Sequence, residues 1–271
     1  MNSLAQQSLV ELGGRGSVLS RQKRDHIRLD RLLHRLGEVP PGEQPPVLLA
    51  IYRLVFPHAF AEESVLWPVM RRLLPDGEEL TLRVEREHQQ INGLVVRLDA
   101  LEPASIEHQQ LLDRLVELLR EDVRDEEDLL LPRLQRELTA AQLRRLGLAW
   151  EVVRLIAPTR AHPIVSRRPP GNVLAALPLS LLDRCRDRVD ALLHRGAGAA
   201  APQLEALASA LARASHAVER LPGMRSGEDP STRTAQSRRS GWGAAAIATV
   251  LAGSFVFALA RRGGASQQPA R

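Results

Sequence analysis

The 271-residue sequence predicts an all-α protein: an antiparallel up-down-up-down four-helix bundle, extra C-terminal helices and one C-terminal transmembrane helix. Three observations point there. Aromatic residues make up only 3% of the chain, and with few β-branched residues this argues against an all-β fold, because strands favour both kinds. Leu, Ala, Arg and Glu, which favour helices, are abundant. Apolar residues recur at helical spacing in long segments joined by short turns, and short loops make neighbouring helices antiparallel.

The elements follow in order. Ile27, Leu29, Leu32, Leu33 and Leu36 share the apolar face of a first helix over 20–36, which Gly37 and Pro40-Pro41-Gly42 end. A second helix is predicted over 46–74, closed by the turn Pro75-Asp76-Gly77. A third covers 79–101, a fourth 105–138 and a shorter fifth 139–155. Pro57, Pro68 and Pro132 fall inside predicted helices and are expected to kink or end them, because proline removes a backbone donor and clashes one turn back.

Beyond the bundle, placed at 17–140, residues 141–221 read as additional helices around a Pro/Arg-rich connector, with helices at 179–194 and 203–221. Residues 222–240, with almost no apolar content, read as a flexible linker. Residues 241–260 carry no charge and are long enough as a helix to match a bilayer core, so they are predicted to span a membrane, with 261–271 as a short tail. The N-terminus lacks an apolar core of signal-peptide length. Together these predict a single-pass membrane protein with its bundle on the cytoplasmic side.

The net charge of +5 hides a division. Residues 1–159 hold 21 basic and 25 acidic side chains, net −4, and residues 160–271 hold 16 and 7, net +9. The basic excess accompanies no nucleic-acid-binding motif and little aromatic interleaving, so no nucleic-acid partner is expected. The single cysteine, Cys185, excludes an intramolecular disulfide framework and a cysteine-cluster zinc site. It reads as a small core residue.

An internal repeat carries the chemistry. Arg24-Asp25-His26 with Leu29, Leu32, Leu33, Arg35 and Leu36 recurs 62 residues later as Arg86-Glu87-His88 with Ile91, Leu94, Val95, Arg97 and Leu98. His58, Glu62, Glu63, Leu66 and Pro68 recur 64 residues later as Asp122, Glu126, Glu127, Leu130 and Pro132. Side chains four apart share a helical face, so His58 with Glu62, and Asp122 with Glu126, project together. His26, His58, His88 and Asp122 recur every 30 to 34 residues, one helix plus one turn, which brings all four to a similar height in an antiparallel bundle. The candidate metal ligands are therefore His26, His58, Glu62, His88, Asp122 and Glu126. Three imidazoles and three carboxylates suit two iron ions, with manganese as the alternative, bridged by carboxylates. Burying those carboxylates without a cation is costly. Register picks Glu126 out of the acidic run 125–128, leaving Glu63 and Glu127 as outer or surface residues.

At these residues the sequence resembles the hemerythrin-like HHE cation-binding family. Its pattern of His, His-x-x-x-Glu, His and His-x-x-x-Glu on four successive helices is met by His26, by His58 with Glu62, by His88 and by Glu126. Asp122 is the departure, standing where both the family and the repeat put histidine. Asn92 lies where the invertebrate oxygen carriers of the family have a further histidine, which implies an open metal position. The resemblance implies a protein that binds or senses oxygen, peroxide or nitric oxide, here tethered through 241–260. Two alternatives stand beside it: an enzyme that decomposes peroxide or performs another oxidative step at the same centre, and a metal-free helical adaptor whose best support is Asp122.

Overall fold

The computed structural model describes residues 2–103 and 105–233, and every regular element among them is helical. Ser17 caps the first helix, α1 (Val18–Glu38), by accepting the amide N–H of Leu19. Next come α2 (Gln44–Ala61), a π-helical turn at Glu62–Leu66 and α3 (Trp67–Leu73), which run on without a break as the predicted second helix. The third helix is α4 (Gly77–Leu98). Ser105 caps α5 (Ile106–Asp125), which continues through a second π turn at Glu126–Leu130 into α6 (Leu131–Glu137). A Thr139–Gln142 capping box opens α7 (Ala140–Ile156). The final pair is α8 (Gly171–His194) and α9 (Ala201–Glu219), packed on one another.

Pro68 and Pro132 do not end their helices. Each stands in the first turn after a π turn. The extra residue of that turn moves the carbonyl with which a proline ring would clash, and the missing N–H is then not needed. Pro57 is carried inside α2.

Two apolar clusters fill the bundle. One gathers Leu29, Leu33, Ile51, Leu54, Ile91, Val95, Leu115 and Leu119. The other gathers Leu19, Leu66, Trp67, Met70, Leu131, Leu134 and Trp150, together with Leu4 and Leu12 from the N-terminal segment. Along α1, α2, α4 and α5, the polar residues of the repeat lie between the two clusters. α7 packs against α1 and α2. Its Gly147 lies so close to the start of α1 that a Cβ would sit 2.2 Å from the Gly16 carbonyl oxygen.

Two expectations are corrected. Among the described residues no helix is long and apolar enough to cross a membrane. Charged residues line the faces of their helices turned from the core, and even the apolar α2 carries the exposed Arg53. This overturns the membrane-spanning component of the fold class, the membrane partner and the single-pass membrane localisation. The segment 241–260 on which they rested lies outside the described residues. Cys185, expected in a core, is exposed. At the start of the segment read as a linker, residues 222–233 make two short turns of 3-10 helix and contact the rest of the chain, with Ser226 accepting from Gly171 N–H and Ser231 from Arg86.

Candidate metal centre

The helices bring His26, His58, Glu62, His88, Asp122 and Glu126 to one level of the bundle. His26 Nε2 lies 3.1 Å from Glu126 Oε2, and His58 Nε2 lies 3.3 Å from Glu62 Oε1 and 3.9 Å from Glu126 Oε2. His88 Nε2 is 3.5 Å from Asp122 Oδ1 and 3.9 Å from both Glu62 Oε2 and Glu126 Oε1. Two groups have ligand atoms within 4.8 Å of one another: His26, His58 and Glu126, and Glu62, His88 and Glu126. Glu126 is common to both. Asp122 touches the second group through His88 but belongs to neither.

Each imidazole is held from behind by a carboxylate. His26 Nδ1 meets Glu127 at 2.9 Å, His58 Nδ1 meets Asp25 at 3.3 Å and His88 Nδ1 meets Glu63 at 3.0 Å. That contact places the donor proton on Nδ1 and turns Nε2 toward the centre. Glu63 and Glu127 come from the π turns. The wider turn lets two successive glutamates face inward, and Glu62 and Glu63 are both fully buried. Gln22, one turn before His26, donates to Glu62 Oε1 at 2.7 Å. Trp150 and the His58 ring pack in a T-shaped contact, with centroids 5.3 Å apart.

The donor set fits a cation. His26 Nε2, His88 Nε2, Glu62 Oε2, Asp122 Oδ1 and Glu126 Oε1 are buried atoms with no hydrogen-bond partner among the described residues. Buried polar atoms left without partners are costly, and here they converge. The electrostatics agree. Burial pulls the His26 imidazole down, but the adjacent Glu126 and Glu127 carboxylates outweigh it and carry it up to about 9. Burial likewise opposes charge on His58 and His88, yet Glu62 and Asp25 hold the first, and Asp122 and Glu63 the second, well above the ordinary value. Burial would raise Glu126, but the neighbouring His26 and His58 imidazoles hold it far below the usual carboxylate range. Burial and repulsion from Glu126 push both Glu62 and Asp122 up.

Asn92 is not turned to the centre. Its Nδ2 donates to the His88 carbonyl at 2.8 Å and its Oδ1 accepts the His162 amide at 3.1 Å. A small cavity of about 30 Å³ adjoins the centre, walled by Leu29, Leu54, Val55, Phe56 and Leu119 beside the three histidines. On the α1/α5 side, a groove of about 530 Å³ reaches His26 and Glu127 from the surface.

A helical bundle that gathers imidazoles and carboxylates from facing helices is the arrangement in which cation sites of bundle proteins are built. Residues 17–134 match the family described as the hemerythrin HHE cation binding domain. The chain is similar, at 25% identity over 134 residues, to an uncharacterized hemerythrin-like protein of Schizosaccharomyces pombe. That match covers 49% of this chain and 66% of the relative, so the chain spans just under two thirds of the relative's length. No solved structure matches. Residues 17–134 are a hemerythrin-like HHE domain whose His/Glu clusters are able to hold a metal ion.

Proposed function

We propose that the protein is a non-haem di-iron protein, with manganese as the alternative metal, that binds or senses oxygen, peroxide or nitric oxide. One observation carries the reading: three imidazoles, each fixed at Nδ1 by its own carboxylate, aim Nε2 into a space shared with buried carboxylate oxygens that have no other partner. His26, His58 and Glu126 would hold one ion, and Glu62, His88 and Glu126 the other, with Asp122 at hand for the second. When bound, iron supplies one-electron chemistry and affinity for small oxygen and nitrogen ligands.

The chain's own residues do the rest. Asp25, Glu63 and Glu127 orient the imidazoles and keep Nε2 available. Leu29, Leu54, Val55, Phe56 and Leu119 keep one side of the site dry, and a cavity of about 30 Å³ has room for a ligand of one or two heavy atoms. Asn92, tied to the His88 carbonyl and the connector, offers no ligand, which supports an open position there. The first set is rich in nitrogen and the second in oxygen. The second therefore suits the harder ion, ferric iron or manganese.

The test is the metal content and visible spectrum of the full chain purified from medium replete in iron and manganese. About two ions per chain are expected, on the ligand count of carboxylate-bridged bundles, with a spectrum that changes on adding oxygen, peroxide or nitric oxide. A chain that binds neither metal overturns the reading and leaves the metal-free adaptor in its place.

A further inference from the structure

We propose that Arg167, in the connector between α7 and α8, is a positioning residue of the metal centre. It holds Glu63 against His88, and its charge sets the reduction potential of the ion at the Glu62–His88–Glu126 set. The inference rests on the metal reading above.

The two ends of the centre differ in what stands behind the outer carboxylate. At the His26 end, Glu127 borders the surface groove and its side chain is 13% exposed, so water screens it. At the His88 end, its repeat-mate Glu63 is 0% exposed. A sealed carboxylate requires an internal counterion. Arg167 Nη1 lies 3.7 Å from Glu63 Oε2, while Glu63 Oε1 meets His88 Nδ1 at 3.0 Å.

Arg167 is itself sealed and anchored. Its side chain is 10% exposed, and Nη2 donates to the carbonyls of His162 at 3.0 Å and Val165 at 3.3 Å. Arg167 Nε and Glu63 Oε2 are both buried without a hydrogen-bond partner. Asn172 ties the connector to the same π turn, donating from Nδ2 to Ser64 Oγ at 3.1 Å and to the Arg167 carbonyl at 3.3 Å. The region after the bundle is thus a wall of the site.

The chemical consequence has a sign. A carboxylate on the Nδ1–H of a ligating imidazole makes that imidazole more basic and favours the oxidised ion. A cation behind the carboxylate withdraws that effect and favours the reduced ion. Removing the Arg167 charge should therefore lower the midpoint potential.

The experiment uses the iron-loaded full chain and reads iron content, helical circular dichroism and midpoint potential. Arg167→Gln is expected to keep its iron and its helicity and to titrate at a lower potential, with Arg167→Lys returning most of the shift. In a Glu63→Gln background, Arg167→Gln should add no further shift, because the charge acts through that carboxylate. No shift in the wild-type background, or an equal one in the Glu63→Gln background, overturns the proposal. Should Arg167→Gln fail to fold, Glu63→Gln alone carries the test: its potential should rise, and one equal to wild type overturns it. Wild type that holds neither iron nor manganese would instead overturn the metal reading, and the two failures are distinct.

Discussion

Glu87 and Asp122 set two carboxylates against one another at the place where the first repeat pairs Asp25 with His58. Asp25 accepts from His58 Nδ1 at 3.3 Å, and that bond outweighs burial to hold the Asp25 carboxyl below its ordinary value. Sixty-two residues on, Glu87 is ready for the same task, but the histidine it would hold is Asp122. Glu87 Oε2 is buried without a partner. Burial and the charge of Asp122 push the Glu87 carboxyl up, and burial and the charge of Glu126 do the same to Asp122.

Asp122→His should therefore repair the site. Glu87 would gain an imidazole N–H, and the second set of ligands a nitrogen. Metal content is expected to equal or exceed that of wild type. The metal-free fold should gain about 1–3 kcal/mol, the usual cost of one unsatisfied buried polar group. Metal analysis and thermal melting check both. A fall in metal content would mean that the Asp122 oxygen is itself required.

Much of this arrangement could be read from residue spacing alone. The six candidate ligands meet because a repeat of one helix plus one turn returns each to the same level and face. The carboxylates behind the histidines were harder to read. On an α-helix, Glu63 points about 100° away from Glu62, and only the π turn brings both inward. The prolines six residues beyond Glu62 and Glu126 mark those turns, yet by themselves they read as kinks. α7 hid its role because exposed Leu148, Val152 and Leu155 blur its apolar period, while Gly147 and Trp150 form the buried face. Arg167 and His162 lie in a connector without periodicity, so no face could be assigned to them.

Metal uptake should release protons. In the metal-free protein His26 is carried up to about 9, and His58 and His88 also stand well above the ordinary 6.5. An imidazole raised on folding contributes stability that is complete below about 6.5 and is lost as pH rises through about 9. A metal ion binds only the deprotonated Nε2. Metal affinity should therefore climb with pH between 7 and 9, about tenfold per pH unit for each proton displaced. The metal-free protein should lose stability over the same window. Calorimetric titration in buffers of different ionisation enthalpy counts the protons. A count of zero at pH 7 would show that the histidines are already neutral.

The seat of α7 on the bundle is open to a direct test. A Cβ at Gly147 would stand 2.2 Å from the Gly16 carbonyl oxygen and 2.8 Å from the Val18 nitrogen, which is backbone and cannot rotate away. Gly147→Ala should destabilise the protein by at least about 1–3 kcal/mol through overpacking. Because Trp150 lies on the same helix and packs on the His58 ring, the variant should also hold metal less tightly. A denaturant midpoint equal to wild type would show that the α1/α7 crossing is looser than described.

His162 joins the α8/α9 pair to the bundle, and its charge makes that junction depend on pH. Its Nε2 lies 3.0 Å from Asp183 Oδ2 on α8, and its Nδ1 lies 2.9 Å from Glu219 Oε1 on α9. Both partners are acceptors, so only an imidazolium satisfies both. Burial opposes that charge, but Asp183 and Glu219 outweigh it and carry His162 up to about 9. Burial would raise Glu219, but hydrogen bonds from His162 and His216 bring it to about 2. Asp183 also accepts the Thr159 and Arg160 amides, and the Arg160 guanidinium pairs with Asp187 and Asp190. On the bundle side the His162 amide is bonded to Asn92. The raised histidine contributes fully below 6.5 and is lost through about 9. The lowered glutamate contributes fully above 4.5 and is lost as pH falls through about 2. The junction is therefore strongest between these limits and opens as pH rises toward 9. His162→Gln, which leaves two buried carboxylates without their cation, should cost about 3–5 kcal/mol. It should speed amide exchange in α8 and α9 at neutral pH while sparing the core of α1, α2, α4 and α5. The same pattern should appear in wild type near pH 9. Exchange in α8 and α9 that is unchanged by the substitution would show that their packing on the bundle does not need this ion pair.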